Sequence, residues 1–182
     1  MKRVMIVGGP GAGKSTLARM LGEKTGLPVI HIDHIHWKSG WIERTRDEKD
    51  RLTREIHARD AWIFEGGHSR TYADRLRRAD TFIFLDIPVT LRIWRVLRRS
   101  WVYRGMVRPD LPEGCPERFD GEMIEFLHFI LTSRKRSRAR HVEILESPPA
   151  HLETYRLSGR REIEDFLDGV GRTARTQAAS ER

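Results

Sequence analysis

Cysteine and long apolar runs are what this chain has least of. Cys115 is the only cysteine among 182 residues, so no disulfide forms within the chain, and a reducing compartment suits it. No run of roughly 18 consecutive apolar residues occurs, which excludes a transmembrane helix. A strand and a glycine loop already occupy the N-terminus, which argues against a cleaved signal peptide. We expect a cytoplasmic protein with no membrane partner.

Acidic residues are also in the minority. Lys and Arg total 34 against 26 Asp and Glu, giving a formal net charge of +8. A basic balance attracts polyanions, and these include both nucleic acids and nucleotide phosphates. Hydrophobic residues make up 38% of the chain, enough for the core of one domain. We predict a single domain over residues 1–170 and a disordered tail over 171–182, where small, polar and charged residues dominate.

Residues 8–15 form the most informative stretch, because they read Gly, four residues, Gly-Lys-Ser. An apolar strand precedes them and an amphipathic helix follows, which is the context of a phosphate-binding loop. Backbone N–H groups of such a loop cradle phosphate, Lys14 reaches the β- and γ-phosphates, and the Ser15 hydroxyl ligates Mg²⁺. We expect ATP and Mg²⁺ as cofactors. The residues assigned to the nucleotide here are Gly8, Gly9, Pro10, Gly11, Ala12, Gly13, Lys14, Ser15 and Thr16.

Strands and helices alternate along the rest of the chain. The pattern predicts a three-layer α/β sandwich with a five-stranded parallel sheet. The predicted strands are residues 4–7, 28–32, 61–65, 81–86 and 152–157. Residues 142–145 compete for the last strand, but 152–157 are chosen because an amphipathic helix follows them. Thr45 and Glu48 form a capping box that starts a helix within an excursion over residues 34–60.

Three of these strands end in a carboxylate or are followed by one. Asp33, Glu65 and Asp86 stand at predicted strand ends, and the carboxyl ends of parallel strands face the ligand crevice. Asp33 is placed to hold a substrate hydroxyl or a metal-bound water, the alternative being a cap of a helix or turn. Glu65 is placed to hold a Mg²⁺-bound water or to accept a substrate proton. Asp86 resembles a Walker B carboxylate.

Several residues nearby are candidates for binding an acceptor. Trp37 and Trp41 either stack on a ligand ring or close the core. Gly66 allows close backbone approach. Arg70 can grip an anionic substrate, the alternative being a surface arginine.

Arginines dominate the segment after the fourth strand. A helix opened by Pro88 is predicted to turn three apolar residues inward, Ile93, Leu97 and Trp101. The arginines left over are placed either to flank phosphate or to form a solvated face: Arg92, Arg95, Arg98 and Arg99. Residues 103–120 have little periodicity and three prolines, which predicts a mobile lid at about 100–121. The arginines of this lid are Arg104, Arg108 and Arg118.

A basic run at residues 134–140 is the strongest sequence feature that favours nucleic-acid binding. The same run suits a solvated extension of the preceding helix. No aromatic residue is interleaved with it, so it has no stacking platform of its own.

Taken in order, these segments resemble the P-loop kinases related to adenylate kinase, and most closely their bacterial topology modulation (FlaR-like) branch. The resemblance covers about residues 2–168 and rests on the phosphate loop, Asp33 with Trp37 and Trp41, and residues 65–71, 84–86, 95–99 and 104–118. It implies a five-stranded core, an acceptor-binding helical region over about 34–60 and an arginine-bearing lid.

Individual roles follow from the same resemblance. It implies that Arg70 binds an acceptor phosphate, that Arg95 packs on adenine and that Arg99 reaches the phosphates. The third strand in this family commonly ends Asp-Gly, and here the pair is Glu65-Gly66. The longer glutamate side chain changes the geometry available to a metal-bound water.

The sequence therefore predicts an ATP-dependent phosphotransferase acting on a small anionic acceptor, such as a nucleoside monophosphate or related metabolite. Lys14 and Arg99 would stabilise the transferring group, and Asp33 would orient or deprotonate the acceptor. The predicted acceptor-binding residues are Asp33, Trp37, Glu65, Gly66 and Arg70, and the Mg²⁺ residues are Ser15 and, through water, Glu65. The alternative is an ATP-binding protein that modulates DNA topology through residues 134–140, without small-molecule kinase activity.

Overall fold

The fold is seen in a computed structural model that describes residues 1–117 and 121–180, with side chains up to residue 171. The strands are β1 (Arg3–Gly8), β2 (Val29–His31), β3 (Trp37–Lys38), β4 (Ile42–Glu43), β5 (Trp62–Glu65), β6 (Thr81–Leu85) and β7 (Glu153–Leu157). The helices are α1 (Lys14–Thr25), α2 (Ile32–His36), α3 (Arg46–His57), α4 (Tyr72–Arg78), α5 (Val89–Val102), α6 (Glu122–Glu146) and α7 (Arg160–Ser180).

Five strands form one parallel sheet in the order β2-β5-β1-β6-β7, and β3 and β4 form a separate antiparallel hairpin. The predicted five-stranded α/β fold is confirmed, including the choice of the last strand, because residues 142–145 lie in α6. The central position of β1 places the loop that follows it at the middle of the sheet edge, where ligands of such folds bind.

Both faces of the sheet are covered, which explains the continuous apolar runs of its strands. On one face Val4 and Ile6 pack with Leu17 of α1 and Phe166 of α7. On the other face Met5 and neighbouring aromatic residues pack with side chains from α3, α4 and α6. The sheet therefore forms the middle layer of three. None of the described helices is both long enough and apolar enough to cross a membrane.

Two helices have ends that the local sequence explains, and the predicted capping box is confirmed. Helix α1 ends at Gly26, whose left-handed backbone (φ 73°) lets its N–H donate to Gly22 O. Thr45 and Glu48 cap α3 with reciprocal hydrogen bonds between each side chain and the other's backbone N–H.

The inward face predicted for α5 is wrong. Arg92, Val96 and Ser100 are buried, whereas Trp101 is 66% exposed. Helix α5 buries this different face because it packs on the phosphate loop rather than on apolar core. A Cβ atom on Gly11 would lie 2.4 Å from Arg92 O, so the backbones of the loop and the helix almost touch.

The described part of the predicted lid is packed against the domain, and its mobility stays a prediction. Arg104 bridges to Glu117, and Leu111 and Cys115 are 4% and 0% exposed. Buried side chains and backbone bridges hold this segment against the rest of the domain. Arg118 lies outside the described residues.

Helix α7 continues to residue 180, and the disorder predicted for residues 171–182 stays a prediction. Its last turns contain alanine, arginine and glutamine, which favour helix. Residues 181 and 182 lie outside the described part of the chain.

Candidate active site

The phosphate loop closes around a space lined by backbone N–H groups. Gly11 and Gly13 have positive φ angles of 76° and 96°, which glycine adopts without strain. Helix α1 begins at Lys14, and the first N–H groups of a helix have no acceptor within it. Lys14 Nζ donates to Gly9 O at 3.3 Å, so the ammonium folds back over the same space. The arrangement fits the phosphates of a nucleotide.

Two arginines of α5 hold this loop from outside. Arg92 Nε donates to Pro10 O at 2.9 Å, and Arg95 Nη1 donates to Ala12 O at 3.2 Å. Both residues also line the cleft. The contact that the structure gives Arg95 is thus with the loop carbonyl, and its predicted packing on adenine remains a prediction.

Glu65 lies buried at the end of β5, beside the loop. Its Oε1 accepts hydrogen bonds from the Ser15 hydroxyl at 3.1 Å and from His31 Nδ1 at 2.9 Å. Burial alone would raise the pKa of Glu65, but His31 and Lys14 hold it below its usual value. Burial alone would lower the pKa of His31, and the hydrogen bond to Glu65 raises it instead. Glu65 is therefore an anion that His31 and Ser15 fix in position.

This pair fits a Mg²⁺ ion that takes most of its ligands from phosphate and water. Ser15 and Glu65 supply one hydroxyl and one carboxylate, which suits the few protein ligands that Mg²⁺ uses beside a nucleotide. Across residues 1–117 and 121–180 no group of three or more His, Cys, Asp or Glu side chains could hold a metal by itself. The donor set thus matches nucleotide-bound Mg²⁺ rather than a structural metal site.

Asp33 faces the same space from α2. Its pKa is raised by burial and by the charge of Glu65, against the opposing effect of Lys14. The residue that caps α2 is His31, so the alternative role of Asp33 as a cap does not hold. Gly66 makes the placement possible, because a Cβ atom there would lie 2.2 Å from Ile32 Cγ2. Asp33 and Gly66 both line the cleft.

The lid contributes a charged network that sequence reasoning missed. Arg108 is 7% exposed, and its Nε and Nη1 atoms donate to Glu117 Oε2 and Asp110 Oδ2, both at 2.8 Å. The Ser100 hydroxyl donates to Glu117 Oε1 at 2.7 Å, and Arg99 Nε lies 3.5 Å from the same oxygen. The alternation of arginines and carboxylates between 104 and 118 was the available signal.

Asp110 brings this network to the phosphate loop. Burial alone would raise the pKa of Asp110, but Arg108 and the nearby Ser15 hydroxyl hold it below its usual value. Ser15 thereby stands between the carboxylates of Glu65 and Asp110. The lid is closed over the loop in this structure.

Trp41 joins the lid to the β3–β4 hairpin. Its indole Nε1 donates to Pro116 O at 3.0 Å, and its backbone N–H donates to Cys115 Sγ at 3.3 Å. Trp37 packs edge-on against it at 5.3 Å between ring centroids. Both tryptophans line the cleft, with Trp41 also closing the hairpin on the lid.

Arg70 does not lie where it was predicted. Its Nε bonds to Asp50 Oδ2 at 2.8 Å, and Asp50 also pairs with His68 at 2.6 Å. Arg70 is half exposed and lies with Asp50 in a small groove beside α3, not among the residues of the main cleft. The buried carboxylate of Asp50 draws the guanidinium away.

Asp86 is also bonded to residues outside the phosphate loop. Arg138 and Arg156 both donate to it, at 2.9 and 2.7 Å from their Nη2 atoms, so it does not stand free as a Walker B carboxylate. Arg138 belongs to the basic run of α6, and Arg140 of the same run covers the Tyr72 ring at 3.7 Å. Two of the predicted polyanion-binding arginines therefore have partners inside the domain.

The whole cleft has a volume of about 1740 Å³. Sites for one small ligand commonly measure about 300–1,000 Å³, so this cleft has room for a nucleotide and a second molecule. It extends from Asp86 and α5 on one side of the phosphate loop to Asp33 and Trp37 on the other.

Comparison with known proteins agrees with this geometry. A family model described as an AAA domain matches residues 4–108, more than half of the chain. An adenylate kinase from Mycobacterium leprae is 32% identical over 112 residues, covering 57% of this chain and 57% of that protein. The chain thus spans less than two thirds of the length of the curated relatives it matches.

Solved structures with the same fold cover nearly the whole chain. Shikimate kinase from Acinetobacter baumannii, in complex with shikimate, aligns over 97% of this chain and 95% of its own, with a TM-score of 0.56 and 19% identity. A gluconokinase from Sinorhizobium meliloti aligns over 100% and 98%, with a TM-score of 0.53 and 14% identity. At these identities the likeness establishes the fold.

Proposed function

We propose that this chain, which belongs to the AAA domain family and has the fold of the P-loop kinases, transfers the γ-phosphoryl group of ATP to a small acceptor. One observation carries the proposal: Lys14, the Ser15–Glu65 pair and Asp33 face a single cleft with room for two molecules. Kinases among its relatives and structural neighbours support phosphotransfer over simple nucleotide binding. The order of motifs up to residue 118 supports placing it in the FlaR-like branch.

The nucleotide would lie on the phosphate loop. Backbone N–H groups at the start of α1 and the Lys14 ammonium would bind its phosphates, while Ser15 and Glu65 would hold Mg²⁺ and its water. Bound Mg²⁺ supplies charge neutralisation for the transferring group. Arg99, on the lid side of the cleft, adds positive charge near the same point.

Asp33 would act on the acceptor. The acceptor hydroxyl gives its proton to the Asp33 carboxylate while its oxygen bonds to the γ-phosphorus. The bond from that phosphorus to the β,γ-bridging oxygen breaks, and ADP leaves with its electron pair. A raised pKa makes Asp33 a stronger base than an ordinary carboxylate.

The test is ADP release from ATP·Mg²⁺ with and without a panel of acceptors. Lys14→Ala removes the phosphate-binding ammonium, and we expect turnover to fall by at least about 100-fold. Lys24→Ala, on the same helix but paired with Asp168 at the surface, is the matched control and retains activity. Turnover that no acceptor stimulates, or that survives Lys14→Ala, would overturn the proposal.

The nucleic-acid alternative depends on three exposed residues of the basic run, Arg134, Lys135 and Arg136. Phosphate-backbone binding by several cations weakens steeply between about 50 and 200 mM salt. Replacing these three residues by alanine, with Arg138 kept because it holds Asp86, would abolish such binding and spare phosphotransfer. Loss of ADP release in the triple variant would instead assign the run to the kinase site.

A further inference from the structure

The part of the cleft beyond the phosphate loop is lined by carboxylates and neutral groups. We call this part the acceptor side; it is formed by Asp33, His36, Trp37, Glu65 and Gly66. The charge of Glu65 adds to burial in raising the pKa of Asp33. His31 lines the same side, and its pairing with Glu65 raises the pKa of His31. Two carboxylates and one histidine leave the acceptor side acidic before any ligand binds.

The arginines that reach this space from the lid are already matched by carboxylates. Arg108 is shared between Asp110 and Glu117, and Arg99 lies 3.5 Å from Glu117. A nucleoside monophosphate carries a phosphate dianion, which needs a cation of its own, usually a bidentate arginine. Together with Asp110 and Glu117, these two arginines form a group with no net charge.

Two further cations of the cleft, Arg95 and Arg138, lie on the opposite side of β1. Arg95 is bonded to the phosphate-loop carbonyl of Ala12, and Arg138 to Asp86, which follows β6. Since β6 and β5 flank β1 on opposite sides, Asp86 and its arginines lie across the loop from Glu65. Arg70, the cation predicted for an acceptor phosphate, bonds to Asp50 outside the cleft.

His36 adds a neutral group to the acceptor side. Burial and the nearby Lys49 lower the pKa of His36 to about 4, so its imidazole is uncharged at pH 7. Its Nε2 atom is buried and has no hydrogen-bond partner among the described residues. A neutral imidazole, a carboxylate and the face of Trp37 are suited to hydroxyl groups and to the C–H face of a ring.

We infer that the acceptor is a polyhydroxylated compound without a phosphate group, and that one of its hydroxyls receives the phosphoryl group. The inference rests on the proposed function and narrows its substrate. It replaces the nucleoside monophosphate expected from the sequence, since Arg70, the residue predicted to bind an acceptor phosphate, bonds to Asp50 outside the cleft.

A titration that needs no turnover tests the charge of the acceptor side. Diadenosine pentaphosphate carries two adenosines on one chain of five phosphates and can span an ATP subsite and an AMP subsite. It therefore binds far more tightly than ATP wherever both subsites exist. We expect its Kd to lie within about threefold of that of ATP when both are measured by calorimetry with Mg²⁺. Binding about 100-fold tighter than ATP would overturn the inference.

A panel of acceptors tests directly which chemical class of compound is phosphorylated. Myo-inositol, glucose and glucuronate are compared with AMP, CMP, UMP and dTMP at equal concentration, with the products read by ³¹P NMR. We expect a phosphate monoester from at least one member of the first set, at a kcat/KM about 100-fold above every nucleotide. Nucleoside diphosphate products would overturn the inference while leaving the proposed function intact. If neither set gave Lys14-dependent turnover, the proposed function would fail, and so would the acceptor class.

His36 provides a matched pair of variants for the acceptor that turns over. His36→Leu removes the neutral hydrogen-bonding group, and we expect KM for that acceptor to rise about tenfold with kcat and the Kd of ATP preserved. His34→Leu, two residues away and exposed, is the control. An unchanged KM in His36→Leu would remove His36 from the acceptor side.

Discussion

The guanidinium of Arg92 covers Gly9 so closely that a Cβ atom on Gly9 would lie 1.9 Å from Arg92 Nη2. Gly9→Ala must therefore displace a buried arginine whose Nε bonds to Pro10 O. Loss of a hydrogen bond to a charged group destabilises a protein by about 1.5–3 kcal/mol, and we expect a loss of that order in urea unfolding. Gly67→Ala, where no atom lies within 4 Å of the new Cβ, is the control.

A double-mutant cycle shows whether Gly9→Ala destabilises the protein through its contact with Arg92 or because the loop tolerates no side chain at this position. In the Arg92→Ala background the atoms that meet the new methyl group are gone, so Gly9→Ala should add less than about 0.5 kcal/mol. An undiminished effect of Gly9→Ala in that background would show that the loop itself, not Arg92, rejects alanine.

Arg108→Met tests the buried lid network. The change leaves Glu117 and Asp110 without their shared cation, and removing one partner of a buried ion pair destabilises by about 3–5 kcal/mol. Combining it with Glu117→Gln should recover part of the loss. Arg104→Met, at an exposed position in the same lid, should change the unfolding free energy by less than about 0.5 kcal/mol.

Glu65→Gln tests the electrostatic coupling to Asp33. The negative charge of Glu65 contributes to raising the pKa of Asp33, so its removal lets Asp33 stay ionised to lower pH. We expect a reduced kcat/KM whose acid limb moves to lower pH than in the unchanged protein, measured with the acceptor that turns over. An acid limb that stays in place would exclude Asp33 as the group that titrates.

His141→Phe tests the acid sensitivity of the fold. His141 is buried against Phe84 at 4.9 Å between ring centroids, and burial with the nearby Arg140 lowers its pKa to about 4. The unfolded chain therefore binds more protons than the folded one between about pH 4 and 6.5, and stability falls as pH falls through that window.

His141→Phe removes that proton uptake from the core. The unfolding free energy of this variant should change less with pH between pH 6.5 and 4. The difference in slope should correspond to at most about one bound proton. His128→Phe, at an exposed position of the same helix, should leave the slope unchanged. An equal slope in the His141 variant would mean that this imidazole is protonated in the folded state.

The reactivity of the Cys115 thiol measures whether the lid stays packed on the hairpin. Cys115 is 0% exposed, donates to Lys38 O and accepts from Trp41 N–H, both at 3.3 Å. A thiol reagent should label the folded protein at least about 100-fold more slowly than the urea-unfolded protein, since labelling requires local opening. Bound ATP should slow labelling further. Equal rates in folded and unfolded protein would contradict the packing of the lid on the hairpin.

The sheet and the phosphate loop were predictable because the information is local. Strands buried on both faces appear as uninterrupted apolar runs, and Glu65 is placed by its position at the end of such a run. Asp33 was expected at a strand end, but β2 stops at His31 and Asp33 lies in α2. The glycine spacing of residues 8–15 fixes the loop in the same way.

The arginines were not predictable to the same degree, because each is placed by a distant partner. Arg92 turns inward since its acceptor is the carbonyl of Pro10, and apolar periodicity carries no information about backbone acceptors. Arg70 leaves the cleft because Asp50 is buried beside it. Arg108 becomes buried because Glu117 and Asp110 compensate its charge.

The central place of β1 in the sheet has a consequence for the way the chain folds as it is synthesised. This first strand pairs with strands that begin about sixty and about eighty residues later, so it waits unpaired while they emerge. Such distant pairings give a high contact order, which slows folding. Strand β1 and its glycine loop are thus made well before the partner strands β5 and β6, and β7 completes the sheet only after α6 has been made.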